Sequence, residues 1–74
     1  MKGGEIMVDT NALRGVIASR RKTQKDVADA IGKAPKTFYD KMKKGVFDSD
    51  EIAIMIDYLD IEDPMPIFFA DKLT

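Results

Sequence analysis

The stretch that most limits what this chain can become is residues 23–44, TQKDVADAIGKAPKTFYDKMKK, where two short helical patterns meet at a glycine and a proline. Thr23 stands where an N-cap belongs. Asp26, three residues on, is placed to return the hydrogen bond, so the pair can satisfy free amides of a first turn. Val27, Ala28 and Ile31 form one apolar stripe on a helix too short to persist without packing. Gly32 ends it, because glycine takes a left-handed C-terminal turn at least cost, and Pro35 suits the first position of a new helix. That second helix turns Phe38 and Met42 inward, four apart, and sends Lys36, Tyr39, Asp40 and Lys43 to the other side. The two helices must pack on each other and leave a basic face outside.

Residues 24–38 resemble the helix-turn-helix of phage Cro and CI repressors and their bacterial relatives, the lambda repressor-like superfamily. A T-Q-x-x-x-A-x-x-x-G core there precedes a polar recognition helix. The matching positions are Thr23, Gln24, Val27, Ala28, Ile31, Gly32 and Phe38. Ala28 must be small where the second helix crosses it, Gly32 makes the turn, and Val27, Ile31 and Phe38 fill the wedge between helices. Residues 36–70 also resemble small phage proteins of this superfamily. Two features depart from the pattern. Ala34 and Pro35 replace the Ser or Thr that usually opens the recognition helix, and Met42 follows Phe38 by four residues where many relatives have three. The resemblance implies an all-α fold, a compact bundle of about five short helices containing the helix-turn-helix.

Seventy-four residues make one small domain with a thin core, worth roughly 3–5 kcal/mol unless a second subunit helps. The chain has neither cysteine nor histidine, which removes disulfides, zinc fingers and thiol chemistry, and no apolar run reaches the length of a membrane span. A cytoplasmic protein is expected, held at the nucleoid when bound to DNA. The formal net charge of −1 conceals a division. Residues 1–45 hold eleven Lys or Arg against five Asp or Glu, a balance of +6; residues 46–74 hold one against eight, a balance of −7. A globule with one basic and one acidic side orients toward phosphate.

Residues 1–8 show little periodicity and are expected to fray, leaving residues 9–74 as the domain. Lys2 to Glu5 can be encoded by purine-rich codons spelling a ribosome-binding sequence, which points to Met7 as the native start. Asp9 or Thr10 can cap a first helix to about Arg21, with Leu13, Val16 and Ile17 facing inward. Gly15 inside it costs about 1 kcal/mol relative to alanine, marking a close neighbour or a weak spot. Gly45 ends the recognition helix. Asp48 and Glu51 then read as a capping box opening a helix to about Leu59, and Asp48, Asp50 and Glu51 lack the spacing of a calcium loop. Ile52, Met55, Ile56 and Leu59 form its core stripe, while Ile54, Tyr58 and Ile61 form a second stripe on another face. Asp63, Pro64 and Pro66 are expected to open a last short helix carrying Ile67, Phe68 and Phe69. A symmetric homodimer through Ile54, Tyr58, Phe68 and Phe69 would cover the surplus apolar surface.

Together these features predict a DNA-binding protein, and the resemblance implies a transcriptional regulator, a Cro-like repressor of phage or prophage origin reading a near-palindrome on double-stranded DNA. Pro35, Lys36, Tyr39, Asp40 and Lys43 are the expected base contacts. Gln24 sits where the family holds a phosphate, and Lys25, Lys33, Thr37, Lys41, Lys44, Arg21 and Lys22 are expected to add backbone contacts or field. Asp40 is either a specificity device or a surface partner for Lys36, Lys43 or Lys44. No cofactor, metal or small-molecule ligand is implied. The chain carries no nucleophile–base pairing and no glycine-rich phosphate loop, so it is not expected to be an enzyme. The alternative is a protein-interaction module, an antitoxin-like or anti-repressor subunit that keeps the scaffold and docks a basic partner on its acidic half.

Overall fold

The computed structural model describes residues 5–69, which form, in order, β1 (Glu5–Val8), α1 (Thr10–Ser19), α2 (Gln24–Ala30), α3 (Pro35–Lys44), β2 (Val46–Asp48), α4 (Ser49–Tyr58) and β3 (Phe68–Phe69). Each helix begins and ends on local chemistry. The Asp9 carboxylate accepts from the Ala12 amide at 3.1 Å and opens α1. Pro35 occupies the first turn of α3, where a missing amide costs nothing. Three helices close alike: the amides of Lys22, Lys33 and Ile61 reach back to the carbonyls of Ile17, Ala28 and Ile56 at 2.9–3.1 Å, the Schellman arrangement. Its left-handed residue is Gly32 after α2, but Arg21 after α1 (φ 61°) and Asp60 after α4 (φ 54°). Those two side chains hold a conformation that favours glycine.

The fold is a mixture of helix and antiparallel sheet, which corrects the expectation of an all-α bundle of about five helices. Four helices are present among the described residues. β1 pairs antiparallel with β2 in the register Glu5↔Asp48, Ile6↔Phe47 and Met7↔Val46, and the two residues of β3 extend this ribbon on the other side of β1. Residues 5–8, expected to fray with the rest of 1–8, are therefore the central strand; residues 1–4 lie outside the described region. Glu5 and Ile6, ahead of Met7, supply two of the three rungs with β2. The alternation is visible in hindsight: Ile6 and Val8 turn inward while Glu5 and Met7 remain exposed. Four residues are too few to announce a strand, and the partner strands come from the other half of the chain.

The expected fifth helix is replaced by a turn and a strand. The Asp63 carboxylate accepts from the Met65 amide at 3.2 Å, the amides of Ile67 and Phe68 both donate to the Pro64 carbonyl, and Phe68 then pairs with Val8. Prolines at 64 and 66 are as compatible with a turn as with a first helical turn, and the pairing of Phe68 with Val8 takes the chain into β3 instead.

Leu13, Val27, Ala28, Phe38, Phe47, Met55 and Leu59 are fully buried and form the centre of the core. The Phe38 and Phe47 rings meet with centroids 5.5 Å apart at 53°, so the inner face of α3 rests on the sheet. Ile61, placed by the sequence on a surplus face, is buried in this core, as are Ile67 and Phe68.

Gly15 has open space where a Cβ would point and lies exposed within α1, so it is a weak spot and not a close approach. Gly15→Ala is expected to raise stability by about 0.4–1 kcal/mol, read as a rise in Tm of roughly 2–8 °C by circular dichroism.

Candidate nucleic-acid interface

The surface in question is built from the start of α2 outward. Thr23 and Asp26 exchange two hydrogen bonds: the Asp26 amide donates to the Thr23 hydroxyl at 3.0 Å, and the Thr23 amide donates to the Asp26 carboxylate at 2.8 Å. This reciprocal cap orients α2 and sets Gln24, half-buried, in its first turn. The hydrogen bond from the Thr23 backbone holds the Asp26 carboxyl below its ordinary value, with the Thr23 hydroxyl and then the charges of Lys22 and Lys25 acting the same way.

α3 is two-sided. Phe38 is 0 % exposed and Met42 4 %, while Lys36, Thr37, Tyr39, Asp40, Lys43 and Lys44 are exposed and Pro35 is half-buried. Lys36, Tyr39, Asp40 and Lys43 therefore share one face of the helix, Lys36 lying three and four residues before Tyr39 and Asp40, and Lys43 four and three after them. Tyr39 is 48 % exposed and is braced edge-on against Phe38, centroids 6.4 Å apart at 71°. No described residue forms an ion pair with Asp40, so of its two alternatives the surface partnership with Lys36, Lys43 or Lys44 is not made. Lys41, Lys43 and Lys44 occupy the last turn, where the helix dipole favours cations.

The other basic residues are divided by what they touch. Lys25 pairs with Asp29 at 3.4 Å on the exposed side of α2. Lys22 lies over the Tyr58 ring, 4.9 Å from its centroid, an attraction of about 0.5–1 kcal/mol at an exposed site. Arg21 is exposed in its left-handed turn. Lys33 and Lys41 lean inward: their Nζ atoms lie 3.8 Å and 3.4 Å from the carboxylate of Glu51, whose side chain is 5 % exposed. These two lysines, expected to face phosphates, thus share a buried acid.

For two residues the sequence reading missed the partners: Arg20, read with Arg21 and Lys22 as a partner of the α1 dipole or a phosphate clamp, and Glu51, read as a cap. Arg20 donates from Nε to the Leu59 carbonyl at 2.6 Å and from a terminal nitrogen to the Asp60 carbonyl at 2.9 Å, tying the end of α1 to the end of α4. Glu51 is the one buried charged side chain among the described residues. The sequence pointed to its capping role, and Oε1 does accept from the Asp48 amide at 2.9 Å. Its lysine partners come from α3 and the turn before it, and no local spacing announces them.

Ile54 and Tyr58 are 41 % and 36 % exposed on α4. Phe68, expected beside them on a dimer surface, is instead 4 % exposed within its own core, because β3 places it against Val8. The side chain of Phe69 lies outside the described region. No helix among the described residues is long and apolar enough to cross a membrane. No protein family, curated protein or solved structure matches the chain.

The Asp26 cap has a pH signature. Its folded pKa lies below the ordinary 3.8, so its contribution to stability is fully present above that value and is lost as pH falls through the depressed folded pKa. A carboxyl titration by NMR is expected to place Asp26 below 3.8, and Thr23→Ala is expected to return it toward that value.

Proposed function

We propose that this protein is a sequence-specific DNA-binding transcriptional regulator of the Cro-like kind, a repressor of phage or prophage origin whose α3 enters the major groove. The observation that carries this reading is the two-sidedness of α3. One face is anchored by Phe38 and Met42 while Lys36, Tyr39, Asp40 and Lys43 all stand exposed on the other. Lysine suits the acceptors of guanine, aspartate accepts from the cytosine amino group, and Tyr39 meets a thymine methyl or a phosphate, with Pro35 adding apolar contact at the helix start. In this reading Gln24, Arg21, Lys22, Lys25, Thr37 and Lys44 supply phosphate contacts and field. Selection from a random duplex pool is expected to return a defined motif, and Lys36→Met to relax preference at one base pair by about 1–3 kcal/mol. No detectable binding to duplex DNA at low salt would transfer the scaffold to the protein-interaction reading.

A homodimer around Ile54 and Tyr58 of α4 belongs to the same proposal. It would present two recognition helices about 34 Å apart to successive turns of DNA. Sedimentation is expected to show a dimer at micromolar concentration, and Ile54→Glu to give a monomer with weakened operator binding. A wild-type chain that remains monomeric at high micromolar concentration contradicts the dimer.

A further inference from the structure

A glutamate at the third position of a helix caps equally well with its side chain in water, so the burial of Glu51 exceeds what capping α4 requires. Removing a carboxylate from water is unfavourable unless cations and hydrogen bonds replace the solvent. Oε1 has the Asp48 amide at 2.9 Å and Lys41 Nζ at 3.4 Å. Oε2 is buried with no hydrogen-bond partner, and Lys33 Nζ stands 3.8 Å from it. Lys33 lies in the turn just ahead of α3 and Lys41 in the last turn of α3. A single carboxylate on α4 thus holds cations at both ends of the recognition helix. Lys41 is the more enclosed of the two, its side chain 26 % exposed against 42 % for Lys33.

We propose that Glu51 is an internal counterion that withholds Lys33 from DNA phosphate, with the more enclosed Lys41 held beside it, and so limits the part of the affinity that is blind to sequence. This rests on the DNA-binding reading of α3. A lysine held against a buried carboxylate meets an attraction little screened by salt, whereas each lysine that does reach a phosphate releases condensed counterions and steepens the salt dependence of binding. Glu51 subtracts charge at the edge of the α3 face while leaving Lys36 and Lys43, the proposed base readers, exposed. It acts as a positioning and specificity-determining residue without touching DNA.

The test is the slope of log K against log salt for a random-sequence duplex, measured by fluorescence anisotropy between about 50 and 200 mM salt. Glu51→Gln is expected to steepen the slope by about 0.9, because Lys33 becomes free to neutralise one phosphate. That is roughly a three- to fourfold additional loss of affinity across the salt range. Lys33→Met in the wild-type background is expected to leave the slope unchanged, in contrast to Lys44→Met, which removes an exposed proposed phosphate contact and should flatten it by about 0.9. In the Glu51→Gln background Lys33→Met should restore the wild-type slope. Asp57→Asn, removing an exposed acid of the same helix, should change nothing.

A Lys33→Met variant that flattens the slope as much as Lys44→Met overturns the proposal, as does a folded Glu51→Gln with the wild-type slope. Should Glu51→Gln be unfolded by circular dichroism, the comparison of Lys33→Met with Lys44→Met decides alone, since both lysines are exposed. Wild-type protein that does not bind the duplex removes the DNA reading and this proposal together. Wild-type binding with the variants failing removes only the role of Glu51.

Discussion

The contact between the rings of Phe38 and Phe47, both fully buried with centroids 5.5 Å apart, is what the rest of the molecule depends on. Phe38 is the inward residue of α3, and Phe47 is the middle residue of β2, opposite Ile6 of the N-terminal strand. Through this pair the exposed face of α3 is referred to the sheet as well as to α2. A helix of ten residues is marginal by itself, and its basic outer face adds repulsion. Its position comes from burying one side: Phe38 and Met42 give it a single orientation about its axis, and the Lys36, Tyr39, Asp40 and Lys43 face follows from that orientation.

Around this anchor the protein sorts its cations. Arg20 is taken up by the carbonyls that end α4, Lys22 by the ring of Tyr58, Lys25 by Asp29, and Lys33 and Lys41 by Glu51. Lys36, Lys43, Lys44 and Arg21 remain exposed, and none of them forms an ion pair among the described residues. The excess of positive charge in residues 1–45 is therefore not spread evenly over the surface. Much of it holds elements of the fold together, and the remainder includes the face that α3 presents. Under the proposed function this division matters more than net charge, since uncommitted lysines strengthen binding to every sequence alike.

Much of the fold was legible where the deciding interactions span three or four residues. The Thr23–Asp26 cap, the Asp9 cap, the turn at Gly32, the start of α3 at Pro35 and its end at Gly45 all stand where the residues pointed, because each is settled by hydrogen bonds or backbone preferences within one helical turn. The inward and outward sides of α3 were legible for the same reason, since helical period alone separates Phe38 and Met42 from Lys36, Tyr39 and Lys43. The tail misled because prolines that begin helices also begin turns, and the choice lay with β1, which offered Phe68 a strand partner.

The sequence by itself determined, to within a turn, the limits of α1 to α4, the turn between α2 and α3, and which residues of α3 face outward, all consequences of local geometry. Only the tertiary structure decided that residues 5–8 are a central strand, that Phe68 and Ile61 belong to the core, and that Lys33 and Lys41 face a buried Glu51. Those outcomes depend on partners from distant parts of the chain, where a strand's edge or a carboxylate's cation is set by which surfaces pack together and leaves no periodic trace.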